Sequence, residues 1–136
     1  MKTLLVTGSE GFIGRNLCLA LRRQGNFEVL GYDVQQSPEE LPQLVARADL
    51  VFHLAGVDRP KEEREFEDVN LGLTRHLCGW LAAGGRRTPL LLSSSIQAEA
   101  DNPFGRSKRR AEDAVWDYHR QSAAPFYIYR LPNVFG

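Results

Sequence analysis

Short apolar runs alternate along the chain with stretches whose apolar positions recur every three or four residues. Leu4-Leu5-Val6 is a continuous apolar run ending at Thr7-Gly8, the pattern of a buried parallel strand. Ile13, Leu17 and Leu21 then fall on one helical face, and Gly25-Asn26 stops that helix. Residues 27–32 read as a second strand, residues 38–48 as a short helix interrupted by Pro42, and residues 50–54 as a third strand closed by Ala55-Gly56. A charged loop is expected over residues 57–65. Val69, Leu73, Leu77, Trp80 and Leu81 mark a long helix that Gly84-Gly85 ends. A fourth strand follows over residues 89–94. Residues 107–119 form a helix with Ala111, Ala114, Val115 and Tyr118 on one face, and residues 126–130 a fifth strand.

Strands alternating with helices of this length predict right-handed βαβ crossovers. The expected fold class is α/β: a Rossmann-type, doubly wound parallel sheet in a three-layer αβα arrangement, with strand order 3-2-1-4-5. Nothing repeats at a fixed period and no segment is of low complexity. The chain reads as one domain, residues 1–136.

Composition narrows the function classes. Lys plus Arg and Asp plus Glu number 17 each, so the net charge is zero, which argues against a nucleic-acid or membrane-surface partner. No apolar run approaches the roughly 20 residues of a membrane span. Met1 leads directly into the first strand with no leader pattern, so a reducing, cytoplasmic location is the default expectation. Cys18 and Cys78 fall in predicted helices without metal-ligand or C-x-x-C spacing, and read as buried, inert thiols.

The chemistry begins at Gly8, Gly11 and Gly14, spaced G-x-x-G-x-x-G between the first strand and the first helix. In that setting Gly8 permits a tight turn, Gly11 lets backbone approach a pyrophosphate, and Gly14 lets helix and strand pack closely. The first amides of the helix, around Phe12 and Ile13, then face the phosphates. Asp33 ends the second strand near the offset expected for a carboxylate that binds ribose hydroxyls. It would repel a 2′-phosphate and no arginine follows at once, so NAD is favoured over NADP. Leu54, Ala55 and Gly56 end the third strand with small residues that leave room for a cofactor. His53 reads as a packed strand residue. Asp49 has two readings: a group reaching the adenine amino group, or a strand-entry turn.

The T-G-x-x-G-F-I-G turn, the H-L-A-G strand end, Ser93-Ser94-Ser95, and Asn102-Pro103-Phe104-Gly105-Arg106-Ser107-Lys108 together resemble the extended short-chain dehydrogenase/reductases, the NAD-dependent epimerase/dehydratase superfamily. The resemblance runs to Leu131-Pro132-Asn133 at the end of the chain. Val57-Asp58-Arg59-Pro60, the stretch from Ser93 to Ala98, and the short run from Ser95 to Phe104 bring it closest to the CapF-type nucleotide-sugar reductases of capsule synthesis. This resemblance implies a nucleotide-sugar substrate, hydride transfer at a sugar carbon, and an N-terminal cofactor part that ends before a C-terminal substrate-binding portion. It places Ser95 at the Ser/Thr position of the active site, Lys108 at its lysine, and Pro132 near the cofactor. Apolar sheet ends facing a missing lobe invite a homo-oligomer.

Phe104 stands where the family carries a tyrosine, whose hydroxyl exchanges a proton with the sugar oxygen. Phenylalanine has no proton to give. Three explanations are open: a deliberate knock-out, a natural homologue that binds without turnover, or a substitute acid such as Ser95 or water. A fourth places Phe104 in the packing at a helix start, outside any site. Because Phe104 and the short chain weaken the case for catalysis, a non-catalytic dinucleotide-binding module is the second function class. Arg59 has two readings, a contact to a sugar-nucleotide phosphate or a solvated loop residue.

Overall fold

The computed structural model describes residues 1–56, 62, 64 and 66–132. Most of the expected charged loop, including Arg59, lies outside them, as do residues 133–136. Five strands, β1 (Lys2–Thr7), β2 (Phe27–Tyr32), β3 (Leu50–His53), β4 (Leu90–Ser95) and β5 (Phe126–Leu131), alternate with helices α1 (Phe12–Gln24), α2 (Leu41–Arg47), α3 (Thr74–Gly84) and α4 (Pro103–Ser122). All strand neighbours are parallel.

The strand order is β2-β1-β3-β4-β5, which corrects the expected 3-2-1-4-5. β3 pairs with β1 from Leu4–Leu50 to Thr7–His53, and on its other side with β4. The physical reason is burial. Val51 and His53 are both fully enclosed between β1 and β4, whereas the edge strand β2 buries only Tyr32 of its six residues. The chain therefore steps from β2 back over β1. With right-handed crossovers, that reversal sends α1 to one face and α2, α3 and α4 to the other, giving the three layers. The main core confirms the split: it joins Leu5, Val51 and Leu90 of the sheet to Leu41, Leu77 and Val115 of the second helical layer.

Three helices differ from the pattern reading. The one expected over residues 38–48 is a 3-10 turn, Pro38–Glu40, followed by α2, and Pro42 stands in the first turn of α2, where it interrupts nothing. The long helix divides into a π-helical segment, Phe66–Leu73, and α3. The last helix begins four residues earlier than its apolar periodicity suggests. Asn102 caps it by accepting from the Gly105 amide at 2.7 Å, and Pro103 occupies its first turn, where a missing N–H costs nothing. Phe104 thereby becomes a first-turn residue. Tyr127 and Tyr129 are exposed on β5, an edge strand. Cys18 and Cys78 are buried and unpaired, and burial pushes the Cys78 thiol up to about 12. Among the described residues, no helix is long and apolar enough to cross a membrane.

Candidate functional site

The reversal of strand order falls between β1 and β3, and in doubly wound sheets ligands bind at the carboxyl ends of the strands flanking such a point. The glycine turn after β1 and the Leu54-Ala55-Gly56 end of β3 meet there. Gly8 has φ +73, and a Cβ on it would lie 2.8 Å from the Ala55 amide nitrogen. Gly14 is pressed against the Gly8 carbonyl, where a Cβ has no room. Gly11 is different. Its φ of −74 suits any residue, and a Cβ would make only a 3.4 Å contact with the Gly8 carbonyl oxygen. It caps α1 with no side-chain hydrogen bond. The protein's own packing does not call for glycine there, but a group seated on the helix amides would.

Asp33 lies beside this turn. Its Oδ2 accepts from the Glu10 amide at 2.9 Å and its Oδ1 from the Val34 amide at 2.7 Å. The carboxylate thus ties the end of β2 to the glycine turn. Each oxygen keeps further acceptor capacity for a ligand hydroxyl.

A buried polar chain holds the end of β3. The Thr7 hydroxyl accepts from the Leu54 and Ala55 amides, both at 3.1 Å, and meets His53 Nδ1 at 2.6 Å. Since that oxygen already receives two N–H groups, its own hydrogen goes to Nδ1. His53 Nε2 then donates to Thr74 Oγ1 at 2.8 Å, and Thr74 donates to the Asn70 carbonyl at 2.8 Å. Complete burial and the Lys108 charge drive the His53 pKa down to about 3, so the ring is neutral and serves packing, as its sequence context suggests.

Acid stability should report this. Below the ordinary value of 6.5 the unfolded chain protonates the imidazole, while the folded chain does not until about pH 3. Stability should therefore fall as pH drops across that window, by at most about 1.4 kcal/mol per pH unit from this group. Urea midpoints of wild type and His53→Gln at several pH values test it; an equal pH slope in both would contradict the assignment.

Lys108 and Ser95 occupy the neighbouring strand ends. A Cβ on Gly56 would stand 3.0 Å from both Lys108 Nζ and Asn70 Oδ1, so ammonium and amide converge at the end of β3. Asn70 Nδ2 donates to Ser107 Oγ at 3.0 Å, and Ser107 donates to the Phe104 carbonyl at 2.7 Å. Asn70 is a member of this cluster that the sequence reading missed. Its signal was a polar residue amid Val69, Leu71 and Leu73. The Phe104 ring centroid is 5.8 Å from Lys108 Nζ, which places the ring beside the cluster. Ser95 ends β4 and accepts from the Gln97 amide at 3.1 Å. Gly105 packs against the Gln97 and Ala100 carbonyls, pressing the start of α4 onto the segment after Ser95.

Pro132 is exposed just past the carboxyl end of β5. Asp49 is placed elsewhere. It accepts from the Thr3 amide at 2.8 Å and pairs with Arg86 at 2.9 Å, at the amino edge of the sheet. The adenine reading of Asp49 is thereby corrected to the strand-entry one, and the Thr3 hydrogen bond holds its carboxyl below the usual value.

Comparison with known proteins gives matches along nearly the whole chain. The sequence model described as the NAD dependent epimerase/dehydratase family matches residues 4–136. A UDP-2-acetamido-2,6-beta-L-arabino-hexul-4-ose reductase of Pseudomonas aeruginosa is 48% identical over 98% of this chain, which spans 36% of that relative's length. The crystal structure of the capsular polysaccharide assembling protein CapF from Staphylococcus aureus superposes with a TM-score of 0.84 at 38% identity, covering 98% of this chain and 36% of that one. A UDP-glucuronic acid 4-epimerase from Bacillus cereus, solved with NAD, superposes at 0.87 with 21% identity, covering 98% and 58%, and speaks for the fold alone.

Proposed function

Because this chain belongs to the NAD dependent epimerase/dehydratase family, we propose that it is the cofactor-holding part of an oxidoreductase acting on a nucleotide-linked sugar. The observation that carries the reading is Gly11, a glycine the protein's own packing does not need, at the bare amino end of α1. A diphosphate resting on those amides explains it. Asp33 would bind the adenine-side ribose and disfavour a 2′-phosphate. Lys108, between Gly56 and Asn70, would bind the ribose next to the nicotinamide. NAD supplies the hydride-exchanging carbon when bound. The substrate class is supported by the likeness to the Pseudomonas reductase, whose name gives a UDP-linked hexul-4-ose.

Ser95 is placed to hydrogen-bond a sugar oxygen. Phe104 holds the position of the proton-exchanging tyrosine without a hydroxyl, so turnover by this sequence is impaired. That same residue favours the second reading, a dinucleotide-binding module that does not turn over.

Calorimetric titration with NAD and NADP tests the cofactor assignment. NAD should bind more tightly; tighter NADP binding would overturn the role given to Asp33. Gly11→Val should weaken NAD by about a hundredfold or more, since it blocks two or three charge-assisted hydrogen bonds to phosphate. Its melting temperature should change by only about a few degrees. A folded variant with unchanged NAD affinity would remove the pyrophosphate site from the account.

A further inference from the structure

Glu112 lies on α4 one turn beyond Lys108, on the same side of the helix, and is only 7% exposed. Its carboxylate receives three hydrogen bonds. Arg130 donates through Nε to Oε2 at 2.9 Å and through Nη2 to Oε1 at 2.8 Å, and the Ser94 hydroxyl donates to Oε2 at 2.7 Å. Ser94 and Arg130 are register partners across β4 and β5. Arg130 also reaches Glu99, in the segment just after Ser95, at 3.1 Å. The clamp therefore joins β4, β5 and α4 in the layer directly beneath Ser95 and Lys108.

An ion pair between a buried carboxylate, Glu112, and a partly exposed guanidinium, Arg130, is a poor source of net stability, because desolvation of the carboxylate offsets most of the attraction; apolar residues of similar size often hold layers as well. What the ionic trio adds is direction. A bidentate guanidinium–carboxylate pair tolerates little sliding or rotation. Burial pushes the Glu112 carboxyl up, yet the Arg130 and Ser94 hydrogen bonds outweigh it and hold it below its ordinary value, so the clamp stays charged.

We infer that Glu112 is a positioning residue: with Arg130 and Ser94 it fixes where α4 presents the Lys108 ammonium relative to the end of β4. This rests on the proposed cofactor reading, in which Lys108 meets only the nicotinamide half of the dinucleotide. The clamp then acts on NAD and not on ADP, which lacks that half.

Isothermal titration of NAD and of ADP into wild type, Glu112→Gln and Lys108→Met tests it. Glu112→Gln should lose about tenfold in NAD affinity, the scale of one charged hydrogen bond, with ADP affinity held within about twofold. If Glu112→Gln fails to fold, the double variant Glu112→Leu/Arg130→Met, which removes both charges together, should show the same selective loss. Equal weakening of NAD and ADP would mean general loosening and would overturn the inference. So would wild-type NAD affinity in a folded clamp variant when Lys108→Met weakens NAD. That pattern leaves the cofactor reading intact. If Lys108→Met does not weaken NAD, or wild type binds neither ligand, the cofactor reading itself fails and the inference with it.

Discussion

Phe104→Tyr is expected to raise turnover by about 10²–10⁴-fold, the usual worth of one positioned acid–base group. The assay joins this chain to the remaining portion of the Pseudomonas aeruginosa reductase, to which it is 48% identical, and follows reduced nicotinamide with that enzyme's named hexul-4-ose. Phe104 sits on the first turn of α4, and Lys108 follows one turn later with its ammonium 5.8 Å from the ring centroid. A phenol at that ring would feel a cation close by, and its pKa should fall below the ordinary value of about 10. Ultraviolet titration of the Phe104→Tyr variant of this chain reads the shift directly, and adding Lys108→Met should abolish it. Unchanged turnover with a lowered phenol pKa would leave Ser95 or water as the proton donor. No turnover in either form would favour the binding module.

The second large effect is on stability. Gly14→Ala should destabilise the fold by about 3 kcal/mol or more. Two effects oppose each other here. Alanine in a helix is favoured over glycine by roughly 1 kcal/mol. Against that, the added methyl would enter the Gly8 carbonyl and lie 2.8 Å from the Gly8 carbonyl carbon and 3.0 Å from Ser9 Cα. These are backbone atoms of a turn held by its own hydrogen bond from Gly11 to Gly8, so they cannot swing aside. Overlap therefore wins. Gly79→Ala is the control. Nothing lies within 4 Å of a Cβ there, on α3, so only the propensity gain of roughly 0.5–1 kcal/mol should remain. Urea unfolding of both variants decides the point; a stabilised Gly14→Ala would contradict the close contact of helix and turn.

Features with local causes are legible in the residues themselves. Gly8 needs a left-handed backbone, Gly14 needs the absence of a side chain, and both demands are met within the residues 7–14 that display them. The strands and most of the helical turns follow from apolar periodicity, and the absence of a hydroxyl at residue 104 is visible in the letters. Whatever depends on partners distant along the chain emerges only when the elements pack. β3 lies between β1 and β4 because burying Val51 and His53 outweighs adjacency in sequence. Asp49 belongs to the amino edge because its partner amide is on Thr3, 46 residues away. Asn70 meets Ser107 across 37 residues, and the Glu112 clamp needs two strands and a helix to come together. A periodic pattern records which side of an element is buried; it holds no information about which other element does the burying, and the site is made of those meetings.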